Sequence, residues 1–203
     1  MGTAIILGII GVGMYFVAGA NILHLLLSLP ILGGLFWFLV KKAPYRLARI
    51  TTFLDPSQDI LGISYHIHQT LIAIGSGGLW GLGFGNSRQK YNYLPEAHTD
   101  SIFAIICEEL GFLRAIFVII LFAVFALAGL GVAKRAPNNF GRLLAFGIVL
   151  WFVGQAFVNL AVMLGLLPFT GVPLPFISYG GSSLVISLAA VGILLNISKQ
   201  ANQ

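Results

Sequence analysis

The sequence predicts an all-α polytopic membrane protein with about five transmembrane helices and a long extracytoplasmic loop containing short interfacial helices. Three observations carry that prediction. Of 203 residues, 58% are hydrophobic and only 8% are charged. Mean hydropathy reaches +0.97, far from the balance of an ordinary soluble domain. Five apolar runs, at residues 4–20, 22–40, 110–133, 143–166 and 182–197, lie near the roughly 17–25 residues that one bilayer crossing needs.

The first run begins at once after Met1, as expected of a fragment of a longer membrane protein. Ala18-Gly19-Ala20 imitates a signal-peptide cleavage site. No Lys or Arg precedes the apolar stretch, so a membrane helix is the better reading. Asn21 turns the chain into the second run. Lys41, Lys42 and Pro44 end that run, with basic residues at the interface and a ring that stops the helix. Residues 41–99 then form a large polar outer loop. Within it, residues 60–74 are apolar but interrupted by Ser64, His66, His68 and Gln69, which suits a helix at the interface or packed on protein. Residues 75–85 hold six glycines in eleven positions, a turn-rich connector in which Trp80 suits an interfacial anchor.

The segment from Asp100 to Ala133 is too long for one crossing, so its first turns, with Glu108, Glu109 and Arg114, are expected to protrude. A short basic loop at 134–139 leads into the fourth run. Pro168, Pro173 and Pro175 break residues 167–181. Irregular backbone at membrane depth persists only where protein or water satisfies it. That segment is therefore expected to fold back against an outward cavity, the rival reading being a plain connection. The whole chain, 1–203, reads as a single membrane domain.

Charge sets the orientation. Lys134, Arg135, Arg142 and Lys199 fall on one side, which the positive-inside rule makes cytoplasmic. The outer loop then faces outward although it carries Lys41, Lys42, Arg46, Arg49, Arg88 and Lys90. A basic outer loop, with net charge +5 and pI near 9.6, implies contact with anionic lipid or a phosphorylated ligand. Nucleic acid is a poor partner for basic residues scattered among spans. Cys107 is the single cysteine and allows no internal disulfide.

All six acidic residues fall between Asp55 and Glu109, and charge placed so unevenly near hydrocarbon marks a working site. Asp100 stands at a loop-to-helix junction. Pattern alone puts helix capping ahead of chemistry there, though a capping carboxylate can still accept a proton. Glu108 and Glu109 read either as candidate bases or as an internal pair with Arg114 or a basic loop residue. Arg88 and Lys90 are natural phosphate contacts, with attraction to lipid headgroups as the rival reading. His66 and His68 share a face only on an extended segment, and without further ligands zinc is improbable. His24 suits a hydrogen bond to a neighbouring helix. Gln155 and Asn159 share one helix face, to bind another helix or to line a polar cavity.

Two blocks together resemble the SEDS family (shape, elongation, division and sporulation) of polytopic cell-wall proteins. Residues 173–183, PLPFISYGGSS, look like its carboxy-terminal signature, and Leu94-Pro95-Glu96-Ala97-His98-Thr99-Asp100 like its central motif. Phe53-Leu54-Asp55-Pro56, Gly75-Ser76-Gly77-Gly78, Glu108-Glu109-Leu110-Gly111 and Gly192-Ile193-Leu194-Leu195-Asn196 support the match, which covers nearly the whole chain. Gly85-Asn86-Ser87-Arg88-Gln89-Lys90, running into the central motif, is most similar to the division member.

The resemblance implies a peptidoglycan glycosyltransferase that polymerises lipid II on the outer face of the bacterial cytoplasmic membrane, at the division septum. It implies a class B penicillin-binding transpeptidase and other divisome proteins as partners. It places the family's essential aspartate at Asp100, as base on an acceptor sugar hydroxyl. Arg88 and Lys90 would then stabilise the leaving pyrophosphate, with a divalent cation as an optional helper and no resident metal site. Glu96, Glu108 and Glu109 would tune the base or hold that ion. His98, Gln155, Asn159, Ser178, Gly180, Gly181 and Ser182 complete the expected substrate-binding set. Departures accompany the match. The family has about ten spans, so an amino-terminal half is expected to be missing and this chain alone to be inactive or weakly active. Ser101 stands where the family has phenylalanine, Cys107 occupies a small-residue site, and Leu113-Arg114 replaces an apolar residue and glycine. Arg114 is expected to pair with Glu108 or Glu109. A lipid II flippase and a non-catalytic divisome scaffold are the competing readings.

Overall fold

The computed structural model describes residues 2–42, 44–54, 63–91, 94 and 96–201. Asp55, Asp59 and Pro56 of the 53–56 motif, and Pro95 of the central motif, lie outside the described residues. Helices order the chain: α1 Gly2–Val17, α2 Ile22–Lys41, α3 Pro44–Leu54, α4 Ile63–Ser76, α5 Ile102–Leu110, α6 Phe112–Arg135, α7 Asn139–Met163 and α8 Gly181–Ala201. Among the described residues there is no strand. Three helices, α6, α7 and α8, are long and apolar enough to cross a membrane. α1 is apolar but 16 residues long, and α2 runs for 20 residues with Pro30 inside it.

α7 is the centre of the bundle, with α1, α6 and α8 packed around it. Small residues allow the close approach: Gly154 faces Ile9, Gly147 faces Met14, and Gly129 of α6 faces Val149. Phe152 is fully buried there, edge-on to Phe125 and stacked near Trp151. α6 is the opposite case. Phe117, Leu121, Val124 and Leu127 lie exposed along it, as suits a helix facing acyl chains.

Several boundaries differ from the sequence expectation, among them α1, which ends at Val17, and α8, which runs to Ala201; three others have a local reason. The third apolar run does not continue its protruding turns into the span. Gly111, at φ +82, breaks the chain into α5 and α6. α7 starts at Asn139 rather than 143, because the Asn138 side chain accepts a hydrogen bond from Gly141 N at 2.6 Å. It ends at Met163 rather than 166. Gly165, at φ +69, donates to Val162 O, and Leu166 N closes back on Ala161 O.

The glycine-rich connector is docked rather than loose. Leu82 N donates to Glu108 O, Gly83 N to Glu109 O and Phe112 N to Gly78 O. A Cβ on Gly77 or Gly81 would run into the backbone at Cys107 or at Glu109–Leu110, so these glycines permit a backbone-to-backbone contact. Trp80 is exposed at its edge. At the α1–α2 junction, His24 Nδ1 meets Tyr15 Oη at 3.2 Å.

Candidate functional site

Residues 98–101 form an irregular segment anchored at each position. His98 O accepts from Tyr179 N at 2.9 Å. Thr99 O accepts from Ser178 Oγ at 2.6 Å. Asp100 O accepts from Asn159 Nδ2 at 2.8 Å. Ser101 Oγ meets His66 Nε2 at 2.9 Å. Four successive residues are thus held by the proline-rich return loop, by α7 and by α4.

The return loop is irregular because its prolines forbid a helix, and α7 satisfies it. Gln155 Nε2 donates to Pro173 O at 2.8 Å, while Trp151 Nε1 donates to Gln155 Oε1. Asn159 Nδ2 also donates to Val172 O at 2.7 Å. The two amides therefore carry the backbone of a loop that hydrocarbon could not solvate. Gln155 also lines a cleft beside the loop, whereas Asn159 is buried on loop carbonyls rather than bonded to another helix. Ser178 Oγ is likewise engaged within the loop, accepting from Leu174 N. Gly180 and Gly181 lead into α8, and Ser182 is exposed in its first turn.

Asp100 does not cap a helix. α5 begins two residues later, with Ser101 at the N-cap position and no side-chain cap bond. The Asp100 carboxylate has no hydrogen-bond or ion-pair partner among the described residues. It is partly exposed and lies over Gly171, whose φ is +67 and whose added Cβ would stand 3.1 Å from Asp100 Oδ2. Gly171 also edges an apolar cleft of about 570 Å³ between α1 and α7, lined by Ile6, Ile10, Trp151, Gln155 and Val172. Burial pushes the Asp100 carboxyl above its ordinary value; the Glu96 carboxylate adds to the rise and the Arg49 charge opposes it. Arg49, on α3, donates to Phe169 O at 3.3 Å and stands over the Phe169 ring. Glu96 holds Thr99 Oγ1 at 2.7 Å and is exposed, as is the His98 side chain.

Glu108 and Glu109 belong to a separate arrangement. Glu108 is 1% exposed, and its carboxylate accepts from Ser87 Oγ, Arg88 N and Gln89 N. Glu109 accepts from Ser87 N and forms an ion pair with Lys90 Nζ at 2.8 Å. Burial alone would raise the Glu109 carboxyl, but the Lys90 hydrogen bond and the Gly85 and Ser87 backbone hold it below its ordinary value. The same pairing raises Lys90. Two expectations are corrected here. Lys90, expected as a phosphate contact, is engaged by Glu109 and Gly85 O. Arg114 pairs with neither glutamate; it donates to Trp80 O and Leu110 O. Arg88 is exposed, and its guanidinium has no protein partner among the described residues.

These placements also bear on a divalent cation. Both glutamates are spent on the 87–90 loop, and no three His, Cys, Asp or Glu side chains gather among the described residues. Among the described residues, the carboxylates do not form a donor set that fits an ion. Cys107 is buried beneath the site, its thiol pushed up to about 12 by that burial.

Sequence reasoning missed Arg49, His66 and Ser101 as site residues. The one available signal was the pairing of two oddities: a histidine in an apolar helix and a serine where the resemblance called for phenylalanine. α4 is helical, so His66 is buried and His68 exposed.

Membrane-length apolar helices packed around a loop held at four points define a polytopic membrane protein. The chain belongs to the FtsW/RodA/SpoVE cell cycle protein family, whose model matches residues 1–203. It is 50% identical to stage V sporulation protein E of Bacillus subtilis, over 92% of this chain and 51% of that protein. It is 48% identical to the probable peptidoglycan glycosyltransferase FtsW of Thioalkalivibrio, over 98% of this chain and 50% of that protein. The chain thus spans about half the length of the curated relatives it matches. Its fold matches a chain of a peptidoglycan synthase complex described as coordinating polymerization and crosslinking, with TM-score 0.77, 29% identity, and coverage of 100% of this chain and 56% of that one. It also matches a mutant of the Thermus thermophilus rod shape determining protein RodA, with TM-score 0.51, 34% identity, and coverage of 66% of this chain and 40% of that one.

Proposed function

We propose that this chain carries the acceptor-activating part of a peptidoglycan glycosyltransferase that polymerises lipid II for septal wall synthesis. The observation that carries the reading is the Asp100 carboxylate, without a partner among the described residues on a loop pinned at residues 98–101. Its raised proton affinity suits a general base. The naming of the FtsW relatives supports the reaction class.

The chemistry follows from that base. Asp100 takes the proton of the acceptor GlcNAc 4-hydroxyl. The oxygen attacks C1 of the donor MurNAc from the face opposite the phosphate. The C1–O bond breaks, its electron pair leaves on undecaprenyl pyrophosphate, and the anomeric centre inverts. Charge builds on that leaving group, and fixed cations lower its energy. Arg88 is exposed for such a contact, and Arg49 is the cation whose charge reaches Asp100. The apolar cleft beside Gly171 suits the polyprenyl tail. A class B penicillin-binding transpeptidase is the proposed partner, in line with the peptidoglycan synthase complex that shares the fold.

Asp100→Asn tests the reading with purified protein and lipid II. Loss of glycan strands with lipid movement across vesicles intact supports the polymerase. Loss of lipid movement, with no polymer made by the parent chain, favours a flippase and overturns it.

A further inference from the structure

We propose that His66 is a positioning residue for Asp100, acting through Ser101; this rests on Asp100 being the base. His66 is 6% exposed and Ser101 0%. Their 2.9 Å hydrogen bond therefore lies where water does not compete, and breaking it leaves a buried polar atom. His66 is nearly buried and is not among the residues lining the cleft between α1 and α7, so its route to the site runs through its neighbours.

It holds two things. Through Ser101 it fixes the residue next to the carboxylate and the first turn of α5, where Ala104 N donates to Ser101 O. Through its ring it packs on Phe169, with centroids 4.3 Å apart. Phe169 in turn carries Arg49, by its carbonyl and by its ring. One imidazole thus sets the base from one side and its opposing cation from the other. α4 is itself docked along α5, and Thr70 Oγ1 returns to His66 O at 2.8 Å, so the imidazole is presented from a firm helix. The bond belongs to these two residue types. A phenylalanine at 101 has no group to make it.

A histidine that merely fills the core would be replaced without loss by an apolar side chain of similar size. A positioning histidine would be replaced only by a side chain that keeps the hydrogen bond. The experiment compares His66→Leu, His66→Gln, Ser101→Ala and the His66→Leu/Ser101→Ala double variant in the full chain, purified into lipid nanodiscs. In lipid II polymerisation, His66→Leu and Ser101→Ala are expected to lose about tenfold to a hundredfold in kcat with KM little changed. His66→Gln should recover most of it, and the double variant should be no worse than either single one. Amide exchange read by mass spectrometry over 98–104 should quicken in both single variants. Additive losses, a rise in KM alone, or His66→Leu matching the parent would overturn the proposal. Equal polymer from the parent chain and from Asp100→Asn would count against Asp100 as base, while no polymer from either matches the inactivity expected of this chain alone. Exchange still decides the His66–Ser101 latch in that case: quickened exchange upholds it, and unchanged exchange refutes it.

Discussion

Asp100 and the Glu108–Glu109 pair lie within ten residues of each other, and the protein treats them in opposite ways. The two glutamates are saturated. Glu108 takes a hydroxyl and two backbone N–H groups, and Glu109 takes Lys90. Asp100 is surrounded by equally firm backbone anchors, yet none of them reaches its carboxylate. The contrast separates carboxylates that build a loop from one that a loop presents. Charge alone does not make the distinction; what the neighbouring donors are aimed at does.

The contrast can be broken from either side, most severely at Asp100. Asp100→Asn should cut polymerisation by about 10²–10⁴-fold, the usual worth of a general base, in a lipid II assay. It should leave the fold intact, and at neutral pH slightly raise the melting temperature. The sign follows from the direction of the shift. A carboxyl raised by burial favours folding in its protonated form, below its unfolded value. That benefit fades as pH rises through the folded value. The base is therefore bought with a little stability.

Glu108→Ala should do the reverse. It strips one hydroxyl and two N–H groups of their acceptor, costing about 1–3 kcal/mol in denaturation. Gly171→Ala tests the ground under the carboxylate. Forcing a side chain to φ +67 costs about 1–2 kcal/mol, and its methyl would press on Asp100 Oδ2, so activity should fall along with stability. The smallest effect is expected at Lys90→Met. The loss should be visible at low salt and fade at high salt, because the pair is partly exposed. Glu109 is depressed, so its contribution stands above its unfolded value and disappears as pH falls through the folded one. Acid titration of the parent, absent from Lys90→Met, would show it.

The helices were legible because hydrocarbon demands long apolar runs, and runs survive in any reading of a sequence. α6, α7 and α8 follow directly. What stayed hidden were points decided by one residue or by distance along the chain. Gly111 looks like any glycine until its left-handed backbone splits α5 from α6. Asn159 reads as a polar residue in a span. Its partners, 59 and 13 residues away, are backbone carbonyls that carry no sequence signature. Lys90 was read as a phosphate contact because a charge pattern gives sign and not direction; its partner is 19 residues on. The motif around Asp100 pointed to that residue, while the structure shows its carboxylate without a partner among the described residues.

Gln155 and Asn159 sit one helical turn apart, grasping the adjacent carbonyls of Pro173 and Val172 in the return loop, and Asn159 grasps Asp100 as well. The tilt and rotation of a single membrane-embedded rod therefore set the pose of the mouth. Bilayer thickness, or a neighbour leaning on that rod from within the lipid, would be felt at Asp100 without either one meeting it.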